Sequence, residues 1–151
     1  MRTTWVVAAD ASRARIFRML GRSQVEEIED FIHPAGRQKD RELRTDASGQ
    51  AFAKGAQGSN VGHATGERTE PTEHEAEVFS RTIGEFLDKA RVENRYDELC
   101  LIAPPKFLGL LRKTLSKEAQ RMICKEIPKN VSWFNSRDIE AVIRSTKELP
   151  D

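Results

Sequence analysis

Asp10 closes the apolar run Trp5-Val6-Val7-Ala8-Ala9, and a carboxylate at the end of a strand is a position from which a protein can hold magnesium. Two-metal chemistry needs several carboxylates converging on ions about 4 Å apart. Asp30 and Asp97 flank other apolar segments, but nothing in their spacing makes them converge with Asp10. The short polar run Asp10-Ala11-Ser12 suits a turn, and a turn aspartate is the expected role. His33, His63 and His74 stand apart, and none has zinc-ligand spacing to another or to Cys100 or Cys124. His74 sits among Glu73, Glu75 and Glu77, carboxylates that a helix N-terminus already accounts for. No Gly-x-Ser-x-Gly, phosphate loop or dinucleotide fingerprint occurs, and Gly55-Ala56-Gln57-Gly58 lacks a flanking strand and helix. The sequence therefore names no metal, no cofactor and no catalytic residue from spacing alone.

Basic side chains offer a different chemistry. Arg37, Lys39, Arg41 and Arg44 fall close together, interleaved with Asp40 and Glu42, and Lys54 and Arg68 follow. Such an arm can neutralise phosphates. A second cluster, Lys106, Arg112, Lys113 and Lys117, follows the apolar run Leu99 to Ala103. Leucines occupy the apolar face of that segment, so these cations make a water-facing surface. Arg37, Lys39, Arg41, Arg44, Lys54, Arg68, Lys106 and Lys113 are the candidate contacts to a nucleic acid or another partner.

The elements that position these groups follow from periodicity. Trp5 to Ala9 reads as a central strand, residues 13 to 20 as an alternating second strand, and 24 to 31 as a third, with turns at Asp10-Ala11-Ser12 and Gly21-Arg22-Ser23. Connections this short predict an antiparallel meander. From 34 to 72 the character changes: six of the nine glycines lie there, charges are dense, and Leu43, Phe52 and Val61 are the only large apolar residues. No core can be built from that composition, so a long flexible charged insertion is expected, and it carries most of the functional expectation.

After Pro71, Thr72 is the N-cap of a helix with Glu75 three residues on, and Ala76, Phe79, Ile83, Phe86, Leu87 and Ala90 form its apolar stripe. Leu99 to Ala103 reads as a strand covered on both faces. A strand, a helix and a second buried strand predict a parallel pair joined by a right-handed crossover. Phe107, Leu108, Leu110, Leu111 and Leu115 mark another helix, Ser116 caps a short one, a strand follows near Cys124 to Ile127, and a helix from Ser136 to about Lys147 completes the chain. The fold class is α/β: one layered domain, a mixed sheet flanked by helices, in an order compatible with ribonuclease H-like or ribosomal-protein-like architectures.

Length and composition set the bounds. A chain of 151 residues matches one domain, and 38% apolar with 32% charged residues describes a core plus a polar appendage. The formal charge of +1 excludes a global field toward nucleic acid or lipid, so any electrostatic partner is met by a local patch. Two cysteines make no disulfide framework, and Cys100, inside an apolar run, is read as a small buried hydrophobe. The five apolar residues before Asp10 are too few for a signal peptide or a span, which predicts a cytoplasmic protein with no membrane contact.

Three separated segments carry a resemblance: Trp5-Val6-Val7-Ala8-Ala9-Asp10-Ala11-Ser12-Arg13-Ala14-Arg15-Ile16-Phe17, Glu70-Pro71-Thr72-Glu73-His74-Glu75-Ala76-Glu77, and Leu101-Ile102-Ala103-Pro104-Pro105-Lys106-Phe107-Leu108-Gly109-Leu110-Leu111-Arg112. Through them almost the whole chain resembles the bacterial host-attachment protein family, whose name describes a cellular phenotype. That family is similar to the middle domain of eukaryotic and archaeal class one peptide release factors, where a Gly-Gly-Gln loop promotes peptidyl-tRNA hydrolysis. The corresponding stretch here is Ser48-Gly49-Gln50, with a serine where the first glycine would stand. The resemblance implies a binding protein whose insertion meets a ribosome, RNA or protein partner. The rival it implies is a peptidyl-tRNA hydrolase in which Gln50 positions water and Gly49 allows close approach. A surface adhesin, the family name taken literally, conflicts with the absence of an export signal in these residues.

Overall fold

A computed structural model of the chain describes residues 2–22, 24–33 and 71–146. In chain order the elements are β1 (Thr4–Ala9), β2 (Arg13–Leu20), β3 (Gln24–Ile32), α1 (Glu73–Val92), β4 (Glu98–Ile102), α2 (Pro105–Thr114), α3 (Lys117–Gln120), β5 (Ile123–Ile127) and α4 (Ser136–Thr146). They build one five-stranded sheet of order β3-β2-β1-β4-β5.

The first three strands form the expected meander. β1 and β2 pair antiparallel with Val7 opposite Ile16, and β2 pairs antiparallel with β3. Gly21 turns the chain between β2 and β3 at φ 79, a left-handed conformation that glycine adopts without a Cβ clash. The β2–β3 register shifts at Ile16/Phe17, where Ile16 faces Glu29 and Phe17 faces Glu27, so Ile28 is an extra residue in β3. A bulge of this kind bends the strand and lets Ile28 reach the core, which strict alternation does not predict.

On the other side of β1 the sheet is parallel: Val6 lies opposite Cys100 in β4, and Ile102 in β4 opposite Ile127 in β5. Both β1 and β4 are therefore interior strands covered on both faces, which is why each reads as an unbroken apolar run. Trp5, Val7 and Ala9 face a cluster with Phe79, Ile83 and Leu87 of α1 and Phe107, Leu108 and Leu111 of α2. Val6, Ala8, Cys100 and Ile102 face a second cluster with Val131 and with Ile139 and Ile143 of α4. Helices thus cover both faces of the sheet. Each fully buried Leu, Ile or Phe contributes about 1.5–3 kcal/mol, so the stripe of α1 alone fixes that helix to the sheet.

Specific contacts set the helix positions. Trp5 stacks near Tyr96 and Phe86 with centroids 5.0 and 6.1 Å apart, and the Tyr96 hydroxyl donates to the Leu87 carbonyl at 2.7 Å. Where α1 meets α2, a Cβ on Gly84 would lie 3.2 Å from Thr114 Oγ1 and 3.3 Å from the Thr114 carbonyl oxygen, so the missing side chain allows the close approach. Ser116 caps α3 by accepting from the Ala119 N–H at 3.1 Å while donating to Asp88 Oδ1 at 2.6 Å. Its hydroxyl and the Arg91 guanidinium hold the Asp88 carboxyl below its usual range.

Candidate functional site

Parallel strands present their carboxyl ends on one side of a sheet, and ligands of open α/β sheets bind outside those ends. At the carboxyl ends of β1 and β4 the molecule has a cleft of about 550 Å³. Its walls come from the β1–β2 turn (Asp10, Ala11, Ser12), the start of α1 (Pro71, Thr72, Glu73, Ala76, Glu77), the start of α2 (Pro104, Lys106, Phe107, Gly109, Leu110, Lys113) and Asn130. Apolar side chains make the floor, and charged ones the rim.

The turn is built by Asp10. Its Oδ1 accepts from the Ser12 N–H at 2.7 Å and the Arg13 N–H at 2.9 Å, and its own N–H donates to the Arg13 carbonyl at 2.8 Å. That is the turn role expected of Asp10. Asp30 receives two hydrogen bonds from Arg13, at 3.0 and 2.7 Å, and Asp97 accepts from the Thr3 N–H at 2.7 Å, beyond the opposite end of β1. Asp10 and Asp97 are thus separated by the length of a six-residue strand, about 20 Å. These three carboxylates do not converge, and no group of three His, Cys, Asp or Glu among the described residues could hold a metal ion.

The α1 wall begins with a complete capping box. Thr72 Oγ1 accepts from the Glu75 N–H at 3.1 Å, and Glu75 Oε1 accepts from the Thr72 N–H at 3.0 Å. Glu75 is thereby occupied in capping. Glu73 pairs with Lys106 across the mouth of the cleft at 2.8 Å, and that ammonium holds the Glu73 carboxyl below its usual range. Both partners are more than three-quarters exposed, so water screens the pair and exchange for another partner costs little. Lys113 lies on the same side of α2 two turns further on and also lines the cleft. Arg112 points elsewhere, giving two hydrogen bonds to Glu126 at 3.0 and 2.7 Å, and these lower the Glu126 pKa and raise that of Arg112.

Of the candidate partner-binding residues, Lys106 and Lys113 therefore come together at the cleft. Arg37, Lys39, Arg41, Arg44, Lys54 and Arg68, and with them Gly49 and Gln50, lie outside the described residues. The points from which that segment departs and returns are described. His33 donates its N–H to the Ser12 carbonyl at 2.9 Å and sets its ring edge-on to Phe79 at 5.4 Å, while Pro71 and Thr72 are cleft walls. Both ends thus stand at the side of the sheet where Lys106 and Lys113 lie. His33 is buried against Phe79, and His74 is exposed in the first turn of α1.

Beside the cleft the structure assembles a feature that spacing did not reveal. Arg15, only 6% exposed, gives Nε and Nη2 to Glu27 at 3.0 and 2.9 Å and Nη1 to the carbonyls of Ser132 and Phe134. A buried guanidinium needs such a set of acceptors, and in finding them it clamps the loop between β5 and α4. On that loop Trp133 lies under the Arg13 guanidinium, 4.5 Å from its centroid. Trp133 and Phe134 remain 45% and 41% exposed. The available sequence signal was an adjacent aromatic pair in a polar stretch, between Asn130 and a helix start capped by Asn135. No helix among the described residues is long and apolar enough to cross a membrane.

Comparison with known proteins supplies the relatives. A family model described as "Protein required for attachment to host cells" matches residues 5–143. An uncharacterized protein of Rickettsia prowazekii (strain Madrid E) is 32% identical over 66 residues, which is 42% of this chain and 44% of that protein, so the chain matches less than half the length of this curated relative.

Proposed function

The chain belongs to the family of proteins required for attachment to host cells, and from that premise we propose that it is a non-enzymatic cytoplasmic binding protein whose 34–72 segment contacts RNA, with the ribosome as first partner. The observation that carries the reading is convergence. Of the two ends of a long segment bearing Arg37, Lys39, Arg41, Arg44, Lys54 and Arg68, Pro71 lines the cleft that Lys106 and Lys113 also line, and His33 is hydrogen-bonded to its wall residue Ser12. Phosphate recognition asks for cations gathered on one side of a molecule with little net charge; Lys106 and Lys113 are so gathered, and the sequence between the two ends supplies six more cations. The role in attachment is then indirect and works through translation.

The test is sedimentation of the tagged native protein from lysate through a sucrose gradient at low and raised salt. The expected result is salt-sensitive migration with ribosomes, weakened when Arg37, Lys39, Arg41 and Arg44 are changed to alanine and weakened further with Lys106→Ala and Lys113→Ala. Each phosphate contact removed should lower the salt slope by about 0.7. Migration only as a free small protein would discard the RNA reading. Gln50→Ala should leave both migration and the attachment phenotype unchanged. Loss of the phenotype with migration retained would transfer the function to a hydrolase acting through Gly49 and Gln50.

A further inference from the structure

We propose that Trp133 is a stacking platform for an unpaired RNA base, so that the nucleic acid met at this end of the sheet is single-stranded. The inference rests on the RNA-binding reading above and names the form of its ligand. Trp133 is one of two tryptophans. Trp5 is 2% exposed in the core, whereas Trp133 is 45% exposed on a short loop. That loop is held rigidly. Val131 and Ser132 are buried, the Phe134 N–H donates to the Val131 carbonyl at 3.0 Å, and buried Arg15 clamps the carbonyls of Ser132 and Phe134. A large indole is thus half-exposed on a loop whose neighbouring backbone is anchored on both sides.

Arg13 lies over one face of the ring, 4.5 Å from its centroid, and the residue keeps 45% of its surface exposed. A guanidinium stacked on an aromatic ring leaves a flat electron-rich face, and every nucleobase has a flat face to match it. The surroundings favour a base over an apolar protein surface. The Arg13 guanidinium over the ring is itself paired with Asp30 at 2.7 Å, and in sequence Trp133 stands between Asn130 and Asn135 with half-exposed Phe134 beside it. A stacked base keeps polar edges toward such groups, while an apolar patch would desolvate them without compensation. Placement agrees with the proposed phosphate contacts. Arg13 follows Ser12 and Trp133 follows Asn130 by three residues, and Ser12 and Asn130 are both walls of the cleft bearing Lys106 and Lys113. The platform thus stands on loops that also contribute walls to that cleft. A duplex keeps its bases stacked inside and cannot use the platform.

The experiment titrates the full-length protein with an oligouridylate of about ten nucleotides and with duplex RNA of the same length. Affinity is followed by anisotropy of the labelled RNA and, separately, by tryptophan emission. Trp133→Phe, which leaves Trp5 as the only tryptophan, is the emission control. The expected result is tighter binding of the single strand, quenching of long-wavelength emission that Trp133→Phe lacks, and affinity about tenfold weaker in Trp133→Ala, with Trp133→Phe between. Single-strand binding that is unquenched and unchanged in Trp133→Ala would overturn the platform while leaving RNA binding standing. Preference for the duplex would overturn it as well. Failure to bind either RNA would remove the RNA reading itself. Ribosome co-migration that depends on Trp133 but survives ribonuclease would assign the ring to a protein surface and overturn the proposal.

Discussion

At the scale of single residues, burial decides what titrates. The Tyr96 phenol is pushed up to about 12, first by burial and then by the charge of Asp88, while Arg91 opposes the shift. An unfolded tyrosine ionises near 10. Between those values the unfolded chain has released a proton that the folded chain retains, so this contribution to stability is complete below pH 10 and falls as pH rises toward 12. Tyr96→Phe should cost about 1 kcal/mol at neutral pH through loss of the hydrogen bond to the Leu87 carbonyl. It should also flatten the alkaline decline, and urea melts at pH 7 and above pH 10 check both effects. Cys100 shows how much of this was legible. A thiol inside an apolar run was read as a small hydrophobe, and burial indeed pushes its pKa up to about 12. Asp10 was legible as a turn residue for the same reason, since its neighbours Ala11 and Ser12 allow the carboxylate to reach two N–H groups. Arg15 was not legible. Its burial depends on acceptors from Glu27, Ser132 and Phe134, and the last two lie more than a hundred residues away in sequence.

Elements whose faces obey one period were readable, and those that break period were not. The α1 stripe and the box of Thr72 and Glu75 appear where spacing put them. The unbroken runs in β1 and β4 became interior strands of a parallel pair. β3 ends at Ile32, one residue beyond the expected Phe31, and the extra residue Ile28 follows from a bulge that no alternation rule anticipates. The loop of Trp133 has neither period, and its anchoring by Arg15 emerges only in the folded chain. The α1–α2 contact offers a test at this scale. Gly84→Ala gains about 1 kcal/mol of helix propensity but sets a Cβ against Thr114, where overpacking costs about 1–3 kcal/mol. The Thr114 carbonyl belongs to the backbone of α2 and cannot rotate away, so the second effect should win. We expect a lower urea midpoint with an unchanged slope, partly restored by Thr114→Ala, which removes the nearer atom.

On the scale of the whole molecule, strand order could be reasoned from short turns and one helical connection, and the observed order β3-β2-β1-β4-β5 joins a meander to a parallel half as expected. The cleft was beyond such reasoning because turn 10–12, the starts of α1 and α2, and Asn130 are brought together only by the assembled sheet. Replacing residues 36 to 68 with a flexible Gly/Ser linker of about ten residues should leave the melting temperature within about 5 °C of the full chain, checked by circular dichroism. Both core clusters are assembled from the described strands and helices. His33, tied to Ser12, and Pro71, at the cleft wall, form the two posts of a gate at one end of the sheet. Whatever chain runs between those posts adds closure entropy that rises only with the logarithm of its length. The segment is in that sense a cassette: it can be lengthened, shortened or exchanged by descent or by engineering, and new binding specificities can be tried on this scaffold at little risk to its fold.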